Sequence, residues 1–103
     1  MLAKPDQLQQ LPIEEVIKEL GLPDSAKLLG YAIHRPDTDE YVALAIENEY
    51  ESRWGWSKDP KFAELYEDYP DAYAIARLYT KAPVIIGLMF DTDTMIYFQT
   101  INL

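Results

Sequence analysis

Apolar residues in this chain repeat with a helical period in one stretch, then switch to the period of a strand. Ile13, Val16, Ile17 and Leu20 fall at i, i+3, i+4 and i+7, the spacing of one helix face. Pro12 suits the first helical position, and Glu14 and Glu15 sit at the positive end of the helix dipole. Gly21 is a natural residue to follow the last turn, and Pro23 keeps the helix from resuming. The pattern predicts a helix over Pro12–Leu20. From Lys27 the period becomes two: Leu29, Tyr31 and Ile33 alternate as far as Arg35 and predict a strand. Pro36-Asp37-Thr38-Asp39 is turn chemistry, proline fixing φ and aspartate able to bond nearby amides. The return strand is expected over Tyr41–Glu47, with Val42, Leu44 and Ile46 toward the core. Tyr41, Ala43, Ala45 and Glu47 would face water.

The pattern weakens between Asn48 and Tyr69. Trp54-Gly55-Trp56-Ser57, then Lys58-Asp59-Pro60, reads as a strand end passing into a turn or short helix. Phe62–Tyr66 fits a helical turn or a brief strand equally well. Pro70 opens a second predicted helix, Asp71–Tyr79, with Ala72, Ile75, Ala76 and Tyr79 on one face and alanines small enough to lie close against a sheet. Val84, Ile86, Leu88 and Phe90 then alternate with Ile85, Gly87 and Met89, so this strand is apolar on both faces, as a central or doubly covered strand is. Asp91-Thr92-Asp93-Thr94 turns it, and Met95–Ile101 returns. The two Asp-Thr-Asp hairpins resemble each other because turns select these residues for local reasons, which reads as coincidence rather than duplication. The fold class is α+β: a largely antiparallel sheet of four or five strands with two helices on one face, in the order α-β-β-(short element)-α-β-β. Residues 1–10, polar and Gln-rich, are expected to fray, and 11–103 to form a single domain.

Composition narrows the function classes. Eighteen Asp and Glu against nine Lys and Arg give a net charge of −9, the wrong sign for gripping nucleic-acid phosphates or an anionic membrane. It suits a basic protein partner, mimicry of nucleic acid, or solubility alone. Cysteine is absent, which removes disulfides, thiolate catalysis and cysteine zinc sites. The opening residues, Met1 to Asp6, hold no apolar stretch of the signal-peptide kind. The longest apolar run, Ala82–Phe90, is far shorter than the ~20 residues that span a bilayer. A cytoplasmic location is expected.

Chemistry-bearing motifs are sparse. His34 is the single histidine; its nearest carboxylate in sequence is Asp37, and no serine lies in a nucleophile-elbow context, so it reads as a solvated side chain beside Arg35. Asp91-Thr92-Asp93-Thr94 begins like a calcium loop. Its sixth residue is Ile96 rather than glycine and its twelfth Asn102 rather than glutamate, which leaves the turn reading. The four glycines are too scattered for a phosphate-cradling loop. Pro23–Leu28 as a recognition helix would offer only Lys27 ahead of His34 and Arg35, and the alternation of Leu29, Tyr31 and Ile33 favours a strand there. No catalytic residue, metal or cofactor is predicted.

One stretch stands apart. Residues 50–79 hold Tyr50, Trp54, Trp56, Phe62, Tyr66, Tyr69, Tyr73 and Tyr79, eight of thirteen aromatics, interleaved with carboxylates. Large rings close the core of a small domain, and Trp, Tyr and Arg also dominate interface hot spots. The candidate partner contacts are Tyr50, Arg53, Trp54, Trp56, Tyr66 and Tyr69. A candidate acidic face comprises Glu47, Glu49, Glu51, Glu67, Asp68 and Asp71. Within this stretch Trp56-Ser57-x-Asp59, Ala63-x-x-Tyr66 and Asp71-Ala72-x-x-Ile75-Ala76 resemble a pattern in small phage and bacterial α+β domains. The resemblance covers about a fifth of the chain and implies a hairpin displaying an aromatic residue, a short segment, and a helix behind the sheet. It concerns packing positions and brings no functional residue with it. The expected function is a non-enzymatic protein-interaction module, binding a protein partner or a second copy as a homodimer. The alternatives are an acidic inhibitor or DNA mimic of phage or mobile-element type, with the acidic face standing in for phosphates, and a small hydrolase or sugar-binding protein using Trp54 and Trp56.

Overall fold

The computed structural model describes residues 13–100; the segment 1–10, expected to fray, lies outside them. In chain order the elements are α1 (Ile13–Glu19), β1 (Lys27–Arg35), β2 (Glu40–Glu47), β3 (Ser52–Ser57), a 3-10 turn at Pro60–Phe62, α2 (Tyr69–Ala76), β4 (Ile85–Asp91) and β5 (Ile96–Thr100). The five strands form one antiparallel sheet in the order β3-β2-β1-β4-β5. Where the pattern predicts a single short element between β2 and α2, the chain makes both an edge strand and a 3-10 turn.

Helix α2 closes the core. Asp68 caps it, its carboxylate accepting from the Asp71 amide at 3.0 Å, so the helix starts two residues before the predicted Asp71. It ends at Ala76, and the amides of Leu78 and Tyr79 then bond the carbonyls of Ile75 and Ala76 in a tightened last turn. Ala72 and Ala76 are fully buried, which lets the helix lie close against Ile33, Val42 and Ile86. In α1, by contrast, no side chain is buried; the stripe Ile13, Val16, Ile17 and Leu20 is only half-covered.

Besides a register shift between Leu28 and Gly30 in the β1–β4 pairing, which leaves Leu29 40% exposed, two departures from regular pairing shape the sheet. The β2–β3 register shifts between Val42 and Leu44, a bulge that leaves Ala43 out of step. Beyond it the strand presents the other parity. Ala45, expected to face water, packs against the core, and Leu44, expected inside, is 41% exposed. The second departure is a split. β1 and β2 pair only at His34↔Tyr41 and Arg35↔Glu40, and the segment after the 3-10 turn fills the gap between them. The Glu64 amide donates to the Val42 carbonyl at 2.7 Å, and Tyr66 exchanges two backbone bonds of 2.8 Å with Tyr31. Phe62–Tyr66 is thus neither helix nor full strand but a wedge holding one isolated bridge. Gly30 permits the approach: its φ is +147°, and a β-carbon there would lie 2.8 Å from the Tyr66 carbonyl oxygen.

β4 is covered on both faces, with Ile86, Leu88 and Phe90 buried on one side and Gly87 and Met89 on the other. The Phe98 ring of β5 lies directly over Gly87. Among the described residues no helix is long and apolar enough to cross a membrane.

Candidate functional site

Strand alternation points Trp54 and Trp56 of β3 to the same side of the sheet as α2, and the tightened turn after α2 brings Tyr79 onto them. The two indoles stack with centroids 6.3 Å apart, and the Tyr79 ring meets each edge-on at 4.9 Å. Arg35, the last residue of β1, completes the group. Its guanidinium lies 5.5 Å from the Trp56 ring centre and 5.7 Å from that of Tyr79, and Nη1 donates to the Tyr79 hydroxyl at 2.8 Å. Nε and Nη2 donate to the Asp37 carboxylate at 2.7 and 3.2 Å. This pairing holds the Arg35 guanidinium above its ordinary pKa and the Asp37 carboxyl below the usual range, so both stay charged and fixed. At the far side, Glu47 accepts from Trp54 Nε1 at 3.2 Å and from the Ser52 hydroxyl at 2.9 Å. The polar atoms of Arg35 and Tyr79 and the Trp54 indole nitrogen are therefore oriented, while the four side chains of the cluster are only half-buried.

A cleft of about 310 Å³ opens beside it, lined by Tyr73, Ala76, Arg77, Tyr79, Ala82, Pro83 and Val84. Tyr79 belongs to both cluster and cleft. Arg77 is exposed and its guanidinium has no partner among the described residues; Lys81, next to Ala82, is exposed too. On a chain of net charge −9, the one charged residue lining this cleft is the cation Arg77.

The sequence-predicted contacts separate. Trp54 and Trp56 come together here. Tyr50 stands 88% exposed in the β2–β3 turn, its amide bonded to Asn48 Oδ1 at 2.8 Å. Arg53 points to the opposite face and pairs with Glu51 at 3.8 Å. Tyr66 is half-buried in the wedge, where burial and nearby Glu64 push its hydroxyl pKa up to about 12. Tyr69, 3% exposed, is a core residue, its ring 6.0 Å from Tyr31 and 6.3 Å from Tyr73. Arg35, Tyr79, Arg77 and the 82–84 segment were not among the predicted contacts.

All six residues of the acidic face, Glu47, Glu49, Glu51, Glu67, Asp68 and Asp71, are exposed. Glu47, Glu49 and Glu51 lie at the end of β2 and in its turn to β3, and Glu67, Asp68 and Asp71 in the approach to α2 and its first turn. Asp68 is committed to the helix cap and Glu47 to Trp54 and Ser52.

His34 is not solvated as its place beside a turn suggested. Its side chain is 13% exposed, and its ring lies 4.8 Å from Tyr41 and 5.3 Å from Phe98, on the face away from the tryptophans. Its Nε2 bonds Asp39 at 2.9 Å, because Asp37 is taken by Arg35. In the second hairpin, Asp91 Oδ1 accepts from the Asp93 amide at 2.9 Å and the Thr92 hydroxyl donates to the Met95 carbonyl at 2.8 Å, so these side chains serve the turn. No protein family, curated protein or solved structure matches the chain, so the site is read from its own residues.

Proposed function

We propose that this chain is a non-enzymatic protein-interaction module that holds a partner segment against the Trp54–Trp56–Tyr79–Arg35 cluster and the cleft beside it. The observation that carries the reading is an oriented, half-buried aromatic–arginine group joined through Tyr79 to a cleft with a free arginine on its rim. Trp, Tyr and Arg are the side chains that concentrate binding energy at interfaces, and fixing them beforehand lowers the ordering cost of association. The cleft sits at the small end of the ~300–1,000 Å³ range of ligand pockets, which suits one side chain of a partner better than a whole cofactor. Arg77 selects for a carboxylate, and Ala76, Pro83 and Val84 for an apolar stem. The partner segment is therefore one that presents both. Retention of a specific protein by the immobilised wild type, and its loss on Arg77→Glu or Trp56→Ala with the far-UV circular dichroism unchanged, is the expected result. Equal retention by all three would reject the reading.

One observation favours a second reading, that of an acidic inhibitor or DNA mimic: all six carboxylates of the candidate acidic face are exposed. That surface would engage a DNA-binding protein, and duplex DNA would compete with it. Glu49→Gln with Glu51→Gln should weaken such a complex while Arg77→Glu does not, which separates the two readings.

A further inference from the structure

β3 is an end strand of the sheet, with β2 on one side and no strand on the other. Its ladder to β2 starts at the hairpin, where the Asn48 amide donates to the Glu51 carbonyl at 2.9 Å. In an antiparallel pair the residues that exchange backbone bonds recur at every second position. Counted from Glu51 they are Arg53, opposite Ile46, and Gly55, opposite Leu44. The amides and carbonyls of Ser52, Trp54 and Trp56 therefore point away from β2, to the open edge. Among the described residues no backbone bond from a turn, loop or cap reaches them. Natural sheets blunt such an edge with proline, a bulge or charged side chains. β3 has no proline, the extra residue of the bulge is Ala43 on β2, and its one charge, Arg53, is turned to the face away from α2 and paired with Glu51. Two of the residues with open main chains, Trp54 and Trp56, also carry the stacked indoles of the cluster.

We infer that the partner segment binds as an added strand along the open edge of β3, its main chain bonded to that of Ser52, Trp54 and Trp56. This mode of binding rests on the partner contact proposed above and gives it a form. The occupant is an extended segment of another protein, free of proline where it faces β3, with a β-branched or aromatic side chain at every second position. Open amides and carbonyls at a two-residue spacing are answered by an extended chain, and not by a helix, whose main chain is bonded to itself. Side chains directly across from Trp54 and Trp56 fall on the cluster face, where aromatic and β-branched cross-strand pairs are favourable. β5, the other edge, lies at the far side of the sheet and has no such continuity with the cluster. A second copy of β3 would bring together two chains of net charge −9, each with exposed Glu47, Glu49 and Glu51 at the hairpin, and that repulsion opposes self-pairing.

Amide hydrogen exchange, read by NMR on the full chain, tests this residue by residue. In the free protein the Trp54 and Trp56 amides should exchange faster than those of Arg53 and Gly55, which the ladder holds. The probe for the bound state is a random peptide library displayed on phage and selected on the immobilised protein. Retained sequences should be poor in proline and rich in Val, Ile, Thr and aromatic residues at alternate positions. With a selected peptide at saturation, exchange at Trp54 and Trp56 should slow by about tenfold or more, while Arg53 and Gly55 change little. Unchanged exchange at Trp54 and Trp56, with a peptide whose binding is lost on Trp56→Ala, would overturn the added strand and leave the partner contact standing. A selection that yields no peptide dependent on Trp56 or Arg77 would overturn both. Slow Trp54 and Trp56 amides in the free protein would mean that the edge is already taken, by a second copy or by the chain itself, and would overturn the added strand as well.

Discussion

Replacing Tyr79 with alanine tests whether the aromatic cluster is a fixed unit. The substitution removes two edge-on ring contacts at 4.9 Å and the hydroxyl that accepts from Arg35. Aromatic pairs contribute about 0.5–1.5 kcal/mol each beyond the area they bury. Truncating a large ring in a full core costs about 3–5 kcal/mol, and Tyr79 is only half-buried. The expected loss is therefore about 2–3 kcal/mol in urea-induced unfolding, read as a lower midpoint with an unchanged slope. Trp54 and Trp56 are the only tryptophans, so the same titration reports on the cluster itself, and their native emission should shift to the red as water reaches them. Tyr79→Phe keeps the ring and loses only the hydroxyl, so most of the stability and the native emission should survive. An alanine variant within about 0.5 kcal/mol of wild type, the range of an ordinary surface change, with unaltered emission, would refute the packing argument.

Alkaline pH should destabilise the protein through its buried tyrosines. The Tyr66 hydroxyl titrates at about 12 in the folded state against about 10 when unfolded. The folded chain therefore binds more protons in that window, and stability, full below pH 10, is lost as pH rises toward 12. Burial raises Tyr31, Tyr41 and Tyr69 as well, so Tyr66→Phe should flatten the decline in midpoint without abolishing it. Asp68→Ala removes the cap of α2 and should cost about 1 kcal/mol in the same unfolding assay, with Asp68→Asn retaining most of it. Gly87→Ala drives a methyl group into the Phe98 ring, whose Cζ lies 2.5 Å from the new atom, and into the Gln99 carbonyl. Overpacking of this kind costs about 1–3 kcal/mol, and a neutral result would mean that β5 does not lie where it is placed.

The elements with clean periods were readable. Lys27–Arg35 is a strand to the residue, as the alternation of Leu29, Tyr31 and Ile33 predicts, although a register shift between Leu28 and Gly30 leaves Leu29 40% exposed. β3 was harder to read: Ser-Arg-Trp-Gly-Trp-Ser is only six residues long, with a glycine at its centre. The face of Leu44 was misjudged because a bulge changes parity at Ala43, and nothing in a run of valine, alanine, leucine and isoleucine announces it. The helix stripe of α1 was recognisable, but periodicity says only that a face is apolar and not what covers it. The site was half visible. Trp54 and Trp56, two apart on one strand, stood out as unusual. Arg35 and Tyr79 are 44 residues apart and meet only because β1 and the end of α2 reach the same end of the sheet. Tyr69 and Trp56 looked equivalent as aromatic residues in one acidic stretch; burial alone separates them.

We have proposed that the tryptophan cluster and the cleft bearing Arg77 contact a protein partner. It is tested most directly by an exposed substitution that leaves the fold alone. Wild type and Arg77→Glu, matched in melting temperature, are immobilised and exposed to an extract of the cells that make the protein, and the retained proteins are quantified side by side. A protein held by the wild type and lost from Arg77→Glu, and released by a peptide spanning its own carboxylate-bearing segment, is the predicted result. Identical retention by the two chains would mean that Arg77 and its cleft make no such contact.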